Sequence, residues 1–288
     1  MKLQKVVATV LLGVSGVKAD LGKELAYLDG LSDPFDPGFL QYTNPAPYTI
    51  KQWRNKQIPE GCKTRFTELN IDLADTEVYN VTYTNTTGVC TEPWIFCRTK
   101  DAQLEVRTMA SLFGRMPEHM RELVRHLIAV PADSCSALSY TDIGDIVFSG
   151  NCDTPSIFIH ETAHQLDAML DPANSESGSQ NWRDALAADS CVPDSYANTN
   201  EVEDFAQVTV VALYQVIRGT VPVSEDPGCF ASQLQRLLRR YRRRFLKQND
   251  WCHGRIPSSN FVSKRTGGTA RVVRGERVTT VVGPCKFP

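Results

Sequence analysis

The sequence has 288 residues, of which 42% are hydrophobic and 22% are charged, and its formal net charge is −2. This composition is typical of a globular protein and excludes a chain that is disordered throughout. The slightly acidic balance also argues against nucleic acid as a main partner, because such binding relies on a net basic surface.

The first predicted element is a secretory signal peptide over residues 1–19. Lys2 and Lys5 precede an apolar run over residues 6–14, and cleavage is expected after Ala19, where small residues occur. The run is too short to cross a bilayer, and no later stretch has the roughly 20 apolar residues that a membrane helix needs. We therefore expect a secreted, extracellular protein with no membrane span. Loss of three lysines with the signal moves the net charge from −2 to −5.

Residues 20–100 form the next predicted region, which we expect to be tied by disulfides and glycosylated. Its start, to about residue 64, is rich in proline, glycine and aspartate, which predicts irregular structure and a candidate propeptide. The alternating residues that follow predict strands, and they include glycosylation sequons at Asn80 and Asn85. Nine cysteines predict four disulfides, with one cysteine left as a thiol or joined to another chain.

Residues 101–248 form the main predicted domain. Apolar residues at helical spacing from Met120 to Ile128 predict a core-facing helix that begins at Pro117. His119 and His126 lie beside this stripe, and we interpret them as exposed or core-edge histidines because nothing supplies a third ligand for a metal. A strand over residues 140–149 is expected next.

The most informative stretch is the motif His160-Glu161-Thr162-Ala163-His164 on a predicted helix. Residues four apart on a helix share a face, so His160 and His164 can bind one zinc ion. Glu161 is then placed to act as a general base on a zinc-bound water. The alternative is a pair of structural histidines on a buried helix. A third ligand must come from farther along the chain, because Asp167 and Leu170 do not fit the metzincin pattern.

Residues 195–207 (Ser-Tyr-Ala-Asn-Thr-Asn-Glu-Val-Glu-Asp-Phe-Ala-Gln) open a second predicted helix and carry carboxylates on its first turns. With the upstream motif, this stretch resembles the gluzincin metallopeptidases of the anthrax lethal factor type. The resemblance covers about residues 140–218. By position it implies Glu203 as the third zinc ligand, with Glu201 as the alternative if the register slips. It also implies Tyr196 as the phenol that stabilises the oxyanion.

The resemblance carries further expectations about the surroundings of the metal. Gln207 stands where the family has a glutamate behind the metal, which implies weaker support for a ligand histidine. Asp167 is either an acceptor for a ligand histidine or a solvated helix residue. In zincin folds an edge strand pairs with an extended peptide, and Asp145, Ile146, Val147 and Phe148 are the candidates for it, with a plain core strand as the alternative.

Residues 231–247 predict a helix with a basic face. Its apolar stripe is expected to pack on the domain, whereas its arginines could bind a polyanion or form an ordinary solvated face. The polyanion candidates are Arg239, Arg240, Arg242, Arg243 and Arg244. Residues 249–288 are predicted to be a basic C-terminal tail.

Together these features predict an α+β zincin-like domain with a small mixed sheet, a metal-motif helix, a second ligand helix and stabilising disulfides. The predicted activity is that of a secreted zinc metalloendopeptidase acting on a peptide or protein substrate with Zn²⁺ as cofactor. Two rivals remain at this point. One is a secreted pseudoenzyme that keeps the metal, and the other is a cell-wall or effector binding protein that uses its arginine-rich helix.

Overall fold

The computed structural model describes residues 20–84, 87–88, 92–169, 174–222, 228–248, 251–265 and 285–286. Within these residues the protein combines α-helices with one seven-stranded mixed sheet and three two-stranded pairs. The predicted α+β class with a mixed sheet is confirmed, although the sheet is larger than expected. The predicted signal peptide lies outside the described residues.

The helices of the described part are eight in number. Their bounds are α1 (Ser32–Tyr42), α2 (Glu60–Glu68), α3 (Val106–Arg115), α4 (Glu118–Arg121), α5 (Pro155–Met169), α6 (Gln180–Ala188), α7 (Glu201–Arg218) and α8 (Ala231–Tyr241). Short 3-10 turns cover Leu73–Asp75 and Ala197–Thr199, and a π-turn, Arg242–Leu246, extends α8. Among the described residues, no helix has both the length and the apolar character needed to span a membrane.

The strands are β1 (Glu24–Leu25), β2 (Tyr48–Gln52), β3 (Gln57–Pro59), β4 (Thr76–Tyr83), β5 (Thr87–Gly88), β6 (Trp94–Thr99), β7 (His126–Val130), β8 (Ser136–Tyr140), β9 (Asp145–Ser149), β10 (Cys191–Val192), β11 (Trp251–Cys252), β12 (Phe261–Ser263) and β13 (Cys285–Lys286). The large sheet has the order β13-β8-β9-β7-β6-β4-β2. Strand β7 is parallel to both β6 and β9, and the other pairs are antiparallel. The sheet therefore contains strands from both sides of the predicted domain boundary at residue 100.

The central strands are buried on both faces, and their alternating side chains enter two cores. Along β6, Trp94 and Phe96 belong to the larger core, whereas Ile95 and Cys97 belong to the smaller one. The larger core also contains the apolar residues of α1, α3, α5, α7 and α8. The smaller core lies on the opposite face, where α2 covers the sheet. The helices that carry the metal motif thus pack on the more thickly covered face.

The prediction that residues 20–64 are irregular is wrong. Helix α1 forms there although it contains prolines, because Pro34 lies in the first turn, where N–H groups need no helical acceptor. Burial of Phe35 and Phe39, which are 0% and 2% exposed, offsets the hydrogen bond that Pro37 cannot make. Strands β2 and β3 and helix α2 follow in the same region.

The helix predicted from Pro117 to Ile128 is also wrong over most of its length. Helix α4 ends at Arg121, and the apolar run that follows is β7, a strand with paired neighbours on both sides. A fully buried parallel strand has no polar alternation, so its sequence does not distinguish it from a buried helix. His119 and His126 are buried rather than exposed, at 6% and 0%. Burial lowers the pKa of His126 to about 4.

Strand β9 is an interior strand, so the predicted edge strand for an extended substrate is wrong. It pairs with β7 on one side and β8 on the other, which leaves no free backbone edge. Asp145, Ile146, Val147 and Phe148 are all buried. The Asp145 carboxylate accepts two hydrogen bonds from Arg125, at 2.8 and 2.7 Å. The alternative of a core strand is the one that the structure shows.

Disulfides stabilise the fold, as predicted. The described pairs are Cys62–Cys97, Cys135–Cys152 and Cys191–Cys229, and Cys252 is disulfide-bonded as well. The first ties α2 to β6 on the smaller core. The third joins β10 to the turn before α8.

The first described residues brace the chain that precedes α7. Strand β1 pairs in parallel with β10. The Leu21 N–H donates to the Asn198 carbonyl at 2.7 Å, and the Ala26 N–H donates to the Val192 carbonyl at 2.9 Å. The loop over residues 193–200 is therefore held from both sides, by the N-terminal segment and by α7.

Asp36 of α1 caps the N-terminus of α5, the helix that carries the metal motif. Its Oδ1 accepts a hydrogen bond from the Ser156 N–H at 2.7 Å, and its Oδ2 accepts one from the Ser156 hydroxyl at 2.9 Å. Burial raises the pKa of Asp36 to about 6, although the hydrogen bonds from Ser156 oppose the change. The folded protein thus keeps a proton on this carboxyl where the unfolded chain has lost it.

We expect the stability of the metal-free protein to fall as pH rises from about 4 to about 6, because the folded state binds more protons in this window. A pKa difference of about two units corresponds to a loss of at most about 3 kcal/mol. Asp36→Asn keeps the size of the side chain and should remove the contribution of Asp36 to this slope. Urea unfolding in EDTA across the window measures it, and equal slopes for the two proteins would contradict the assignment to Asp36.

Candidate metal centre

Helices α5 and α7 pack against each other and bring the predicted metal ligands together. Helix α5 presents His160 and His164 on one face, four residues apart. At the start of α7, the Asn200 side chain accepts hydrogen bonds from two N–H groups of the first turn, including that of Glu203. This cap fixes the first turn of α7 and places Glu203 beside the two histidines.

The three predicted ligand atoms converge. His160 Nε2 lies 3.0 Å from His164 Nε2 and 3.2 Å from Glu203 Oε2, and His164 Nε2 lies 3.3 Å from the same oxygen. Ligand atoms bound to a tetrahedral zinc at about 2.0–2.1 Å are about 3.3 Å apart. All three residues are buried. The spacing of the ligand atoms and the donor set both fit a zinc ion.

Gln207 determines which nitrogen of His160 carries the proton. Its Nε2 donates to Asp194 Oδ2 at 2.6 Å, so its Oε1 faces His160 Nδ1 at 3.0 Å as an acceptor. A neutral imidazole has one N–H, and this contact assigns it to Nδ1. The lone pair of His160 Nε2 is therefore directed toward His164 and Glu203.

The electrostatics of the cluster favour a cation. Burial by itself raises the pKa of Glu203, but the hydrogen bonds and charge interactions with His160 and His164 outweigh burial and hold it well below its ordinary value. Glu203 is thus a carboxylate at neutral pH, although it is only 4% exposed. Those interactions place positive charge on the histidines of the metal-free cluster, and a cation bound between neutral imidazoles and the carboxylate would supply that charge instead.

Asp194 is a site residue that the sequence analysis missed. Its Oδ1 accepts the Ala197 N–H at 2.9 Å, and its Oδ2 accepts the Gln207 amide. Burial raises its pKa, and the hydrogen bond from Ala197 is the main opposing influence. The available signal was an aspartate three residues before a short turn, which is typical of a local cap and does not by itself point to a metal site.

The two residues predicted to be catalytic lie close to the ligands. Glu161 is fully buried, and its Oε2 accepts a hydrogen bond from the Ser139 hydroxyl at 2.8 Å, a partner that was not predicted. Tyr196 is half-buried, and its ring centroid lies 5.4 Å from that of His160. That Glu161 or Tyr196 contacts a ligand bound at this cluster stays a prediction.

The structure separates the alternatives for two carboxylates. Glu203, not Glu201, lies in the ligand cluster, as the preferred register predicted. Asp167 is buried rather than solvated, and it accepts hydrogen bonds from the Ser177 N–H and hydroxyl at 2.8 and 2.5 Å. Burial raises the pKa of Asp167, with the Ser177 hydrogen bonds opposing it. Its main structural role is therefore to hold the segment that follows α5.

The remaining predicted positions lie away from the cluster. The apolar stripe of α8 is buried as expected, with Leu237 0% exposed. The five polyanion candidates Arg239, Arg240, Arg242, Arg243 and Arg244 are exposed, and Arg240 also pairs with Glu176. Polyanion contact stays a prediction. Asn80 is half-buried on β4, and Asn85 lies outside the described residues.

Comparison with known proteins then places the chain. The family model for conidiation-specific protein Con-13 matches residues 26–258. The chain belongs to the Con-13 family. Conidiation-specific protein 13 of Neurospora crassa is 33% identical over 206 residues, which cover 70% of this chain and 58% of the relative. This Con-13 family member thus spans a little over half the length of that relative. No solved structure matches it.

Membership of the Con-13 family corrects the prediction of function. The resemblance to gluzincin metallopeptidases of the lethal factor type is wrong as an identification, because the family match covers most of the chain, including both halves of the supposed signature. The peptidase activity, the metalloendopeptidase class and the hydrolase description that followed from it are contradicted as well. A motif of two histidines and two glutamates on two helices can specify a site without specifying the family.

This member of the Con-13 family has an amide, Gln207, where the peptidase pattern has a glutamate, and the neighbouring Asp194 gives a reason for the difference. The carboxyl group of Asp194 accepts a hydrogen bond from the Gln207 amide and lies behind it, farther from the ligand cluster. Gln207→Leu removes the acceptor for His160 Nδ1, and if the cluster binds zinc, this change should weaken zinc binding about 10- to 100-fold. Gln207→Glu should also weaken it, because a second carboxylate would face Asp194.

Competition with a fluorescent zinc chelator measures both Gln207 variants. Gln215→Leu, on the same helix, is the matched control and should bind zinc like the wild type. Wild-type affinity in Gln207→Leu would show that the hydrogen bond to His160 does not support the metal.

Proposed function

We propose that this member of the Con-13 family is a zinc-binding protein whose ligands are His160, His164 and Glu203. The observation that carries the proposal is the convergence of Nε2, Nε2 and Oε2 within 3.3 Å of one another. The hydrogen bond from His160 Nδ1 to Gln207 supports it, because it leaves Nε2 unprotonated and aimed at the other two atoms.

We propose zinc rather than calcium or magnesium because of the donor set. Two imidazoles and one carboxylate are typical zinc ligands, whereas calcium and magnesium prefer oxygen ligands alone. Three protein ligands leave one coordination position for water or a small ligand. Tyr196 and Glu161 are the proposed neighbours of that position, through a phenol and a carboxyl group.

The biological setting is proposed from the relative. The Neurospora crassa protein is named a conidiation-specific protein, and we propose that this chain also acts during conidiation. We further propose that it does so outside the cell, because residues 1–19 have the pattern of a secretory signal. Stable disulfides are typical of proteins that fold in an oxidising compartment, which supports that setting.

Metal analysis of the purified full-length protein tests the zinc proposal. After zinc loading and dialysis, the wild type should retain one zinc per chain. Glu203→Ala should retain almost none, because it removes one of three protein ligands. Glu201→Ala is a close control, since Glu201 lies on the same turn of α7 but outside the cluster.

Two outcomes would overturn the assignment. Equal zinc content in Glu203→Ala and wild type would remove the third ligand from the proposal. Retention of a different ion in preference to zinc, when both are supplied, would replace the metal. Circular dichroism of the same samples shows whether a loss of zinc reflects a lost ligand or a lost fold.

A further inference from the structure

A pocket of about 420 Å³ lies on the face of the sheet opposite the metal centre. It lies between the sheet and the segment of residues 253–261 and is partly open to solvent. Its volume falls within the usual range for small-molecule sites, about 300–1,000 Å³. The residues that matter for its chemistry are Trp53, Asn80, Glu92, Arg255, Ser258 and Phe261.

Arg255 supplies a positive charge to this pocket. Its Nη1 donates to the Pro93 carbonyl and its Nη2 to the Ser258 hydroxyl, both at 2.8 Å, while its guanidinium lies 4.9 Å from the centre of the Trp94 ring. Burial lowers the pKa of Arg255 to about 10, so the group is still charged at neutral pH. All of its partners at these distances are neutral.

Arg255 forms no ion pair within 4.0 Å with any residue that the structure describes. Glu92 is the nearby acid that acts on its charge, and Glu92 is exposed at the pocket. A largely buried cation without a bound carboxylate is costly, and an anionic ligand would offset that cost. The positive charge of Arg255 therefore favours a negatively charged ligand in this pocket.

The rest of the pocket combines an aromatic wall with polar groups. Trp53 and Phe261 meet edge to face, with ring centroids 4.8 Å apart, and Phe261 is 52% exposed. The Trp53 indole N–H donates to Asn80 Oδ1 at 2.6 Å, which turns the Asn80 amide and leaves its NH₂ group as a donor. Aromatic faces and amide donors together are suited to a sugar ring, which has an apolar face and polar edges.

We propose that this pocket binds an acidic sugar, a small uronic acid, with its carboxylate on Arg255 and its ring against Trp53 and Phe261. The Asn80 NH₂ group and the Ser258 hydroxyl then bind sugar hydroxyls. This site is independent of the zinc proposal, because its residues come from β4, the loops next to β2 and β6, and the segment that leads into the first residue of β12.

Calorimetric titration of the full-length protein with glucuronate, and separately with glucose, tests the proposal. Glucuronate should bind at least about tenfold more tightly than glucose, because a charge-assisted hydrogen bond contributes the difference. Arg255→Gln should remove this preference. Arg218→Gln is the matched control, since Arg218 also lies over an aromatic ring, that of Tyr42, but on the exposed end of α7.

Two further variants keep the proposal testable if Arg255→Gln does not fold. Phe261→Ala changes an exposed side chain and should weaken both sugars without altering the preference for the acid. Glu92→Gln should leave glucuronate binding unchanged or tighter, because it removes a nearby negative charge.

Three results would overturn the proposal: no glucuronate binding to the wild type, equal binding of glucose and glucuronate, or wild-type binding by Arg255→Gln. Intact mass adds a fourth. A covalent N-linked glycan found at Asn80 would itself occupy the pocket, and the free acidic sugar would then be excluded.

Discussion

Zinc should raise the melting temperature of the metal-free protein by roughly 8–16 °C when free zinc is about a thousand times its dissociation constant. Binding to the folded state alone then adds about 4 kcal/mol to the free energy of unfolding. The reason is structural: under the zinc proposal a single ion would join α5 to α7, and the unfolded chain offers no preformed site. Differential scanning calorimetry with and without zinc measures the change.

His164→Ala should abolish this zinc-dependent rise, because it removes one ligand from the face of α5. His253→Ala is the control, since His253 is exposed and stacks on His119 away from the cluster. It should keep the full response to zinc. A wild-type response in His164→Ala would mean that zinc binds elsewhere, and no response in the wild type would refute the proposed metal centre.

Removal of the Cys191–Cys229 disulfide should cost about 4 kcal/mol of stability by the chain-entropy relation. The two cysteines are 38 residues apart in sequence. We also expect weaker zinc binding, because the bridge holds the chain just before Asp194 and so supports Gln207 and His160 indirectly. Urea unfolding and chelator competition on the double alanine variant measure the two effects separately.

The Cys62–Cys97 pair provides the comparison. Its separation, 35 residues, gives nearly the same loss of stability, also about 4 kcal/mol. It lies on the smaller core, across the sheet from the metal centre, so its removal should leave zinc affinity unchanged. If both double variants lost zinc affinity equally, the effect would reflect general destabilisation and not the position of the Cys191 segment.

Local patterns were enough to predict the two helices of the metal centre. His160 and His164 are four residues apart, so spacing alone predicted that they share one face of a helix, whereas Glu203 was predicted beside them only from the resemblance to gluzincin metallopeptidases. Other elements could not be predicted in this way. Strand β7 has a continuous apolar sequence that also suits a helix, and only its two parallel neighbours make it a strand.

The missing parts of the site depend on contacts between distant segments. Ser139 reaches Glu161 from β8, and Asp194 reaches Gln207 across a turn. Neither contact has a spacing rule that a single sequence can reveal. Function was misjudged for a related reason: a metal-ligand pattern describes a few side chains, whereas family membership is carried by residues over the whole chain.

The pairing of β1 with β10 has a practical consequence for producing the protein. If a signal peptidase cuts after Ala19, Asp20 alone precedes the backbone bond from Leu21 to the loop that holds Asp194. The amino terminus left by such a cut would lie next to the scaffold behind the proposed ligands. A purification tag left at this end, or the loss of a few residues from it, would be expected to lower metal retention before it prevents the protein from folding.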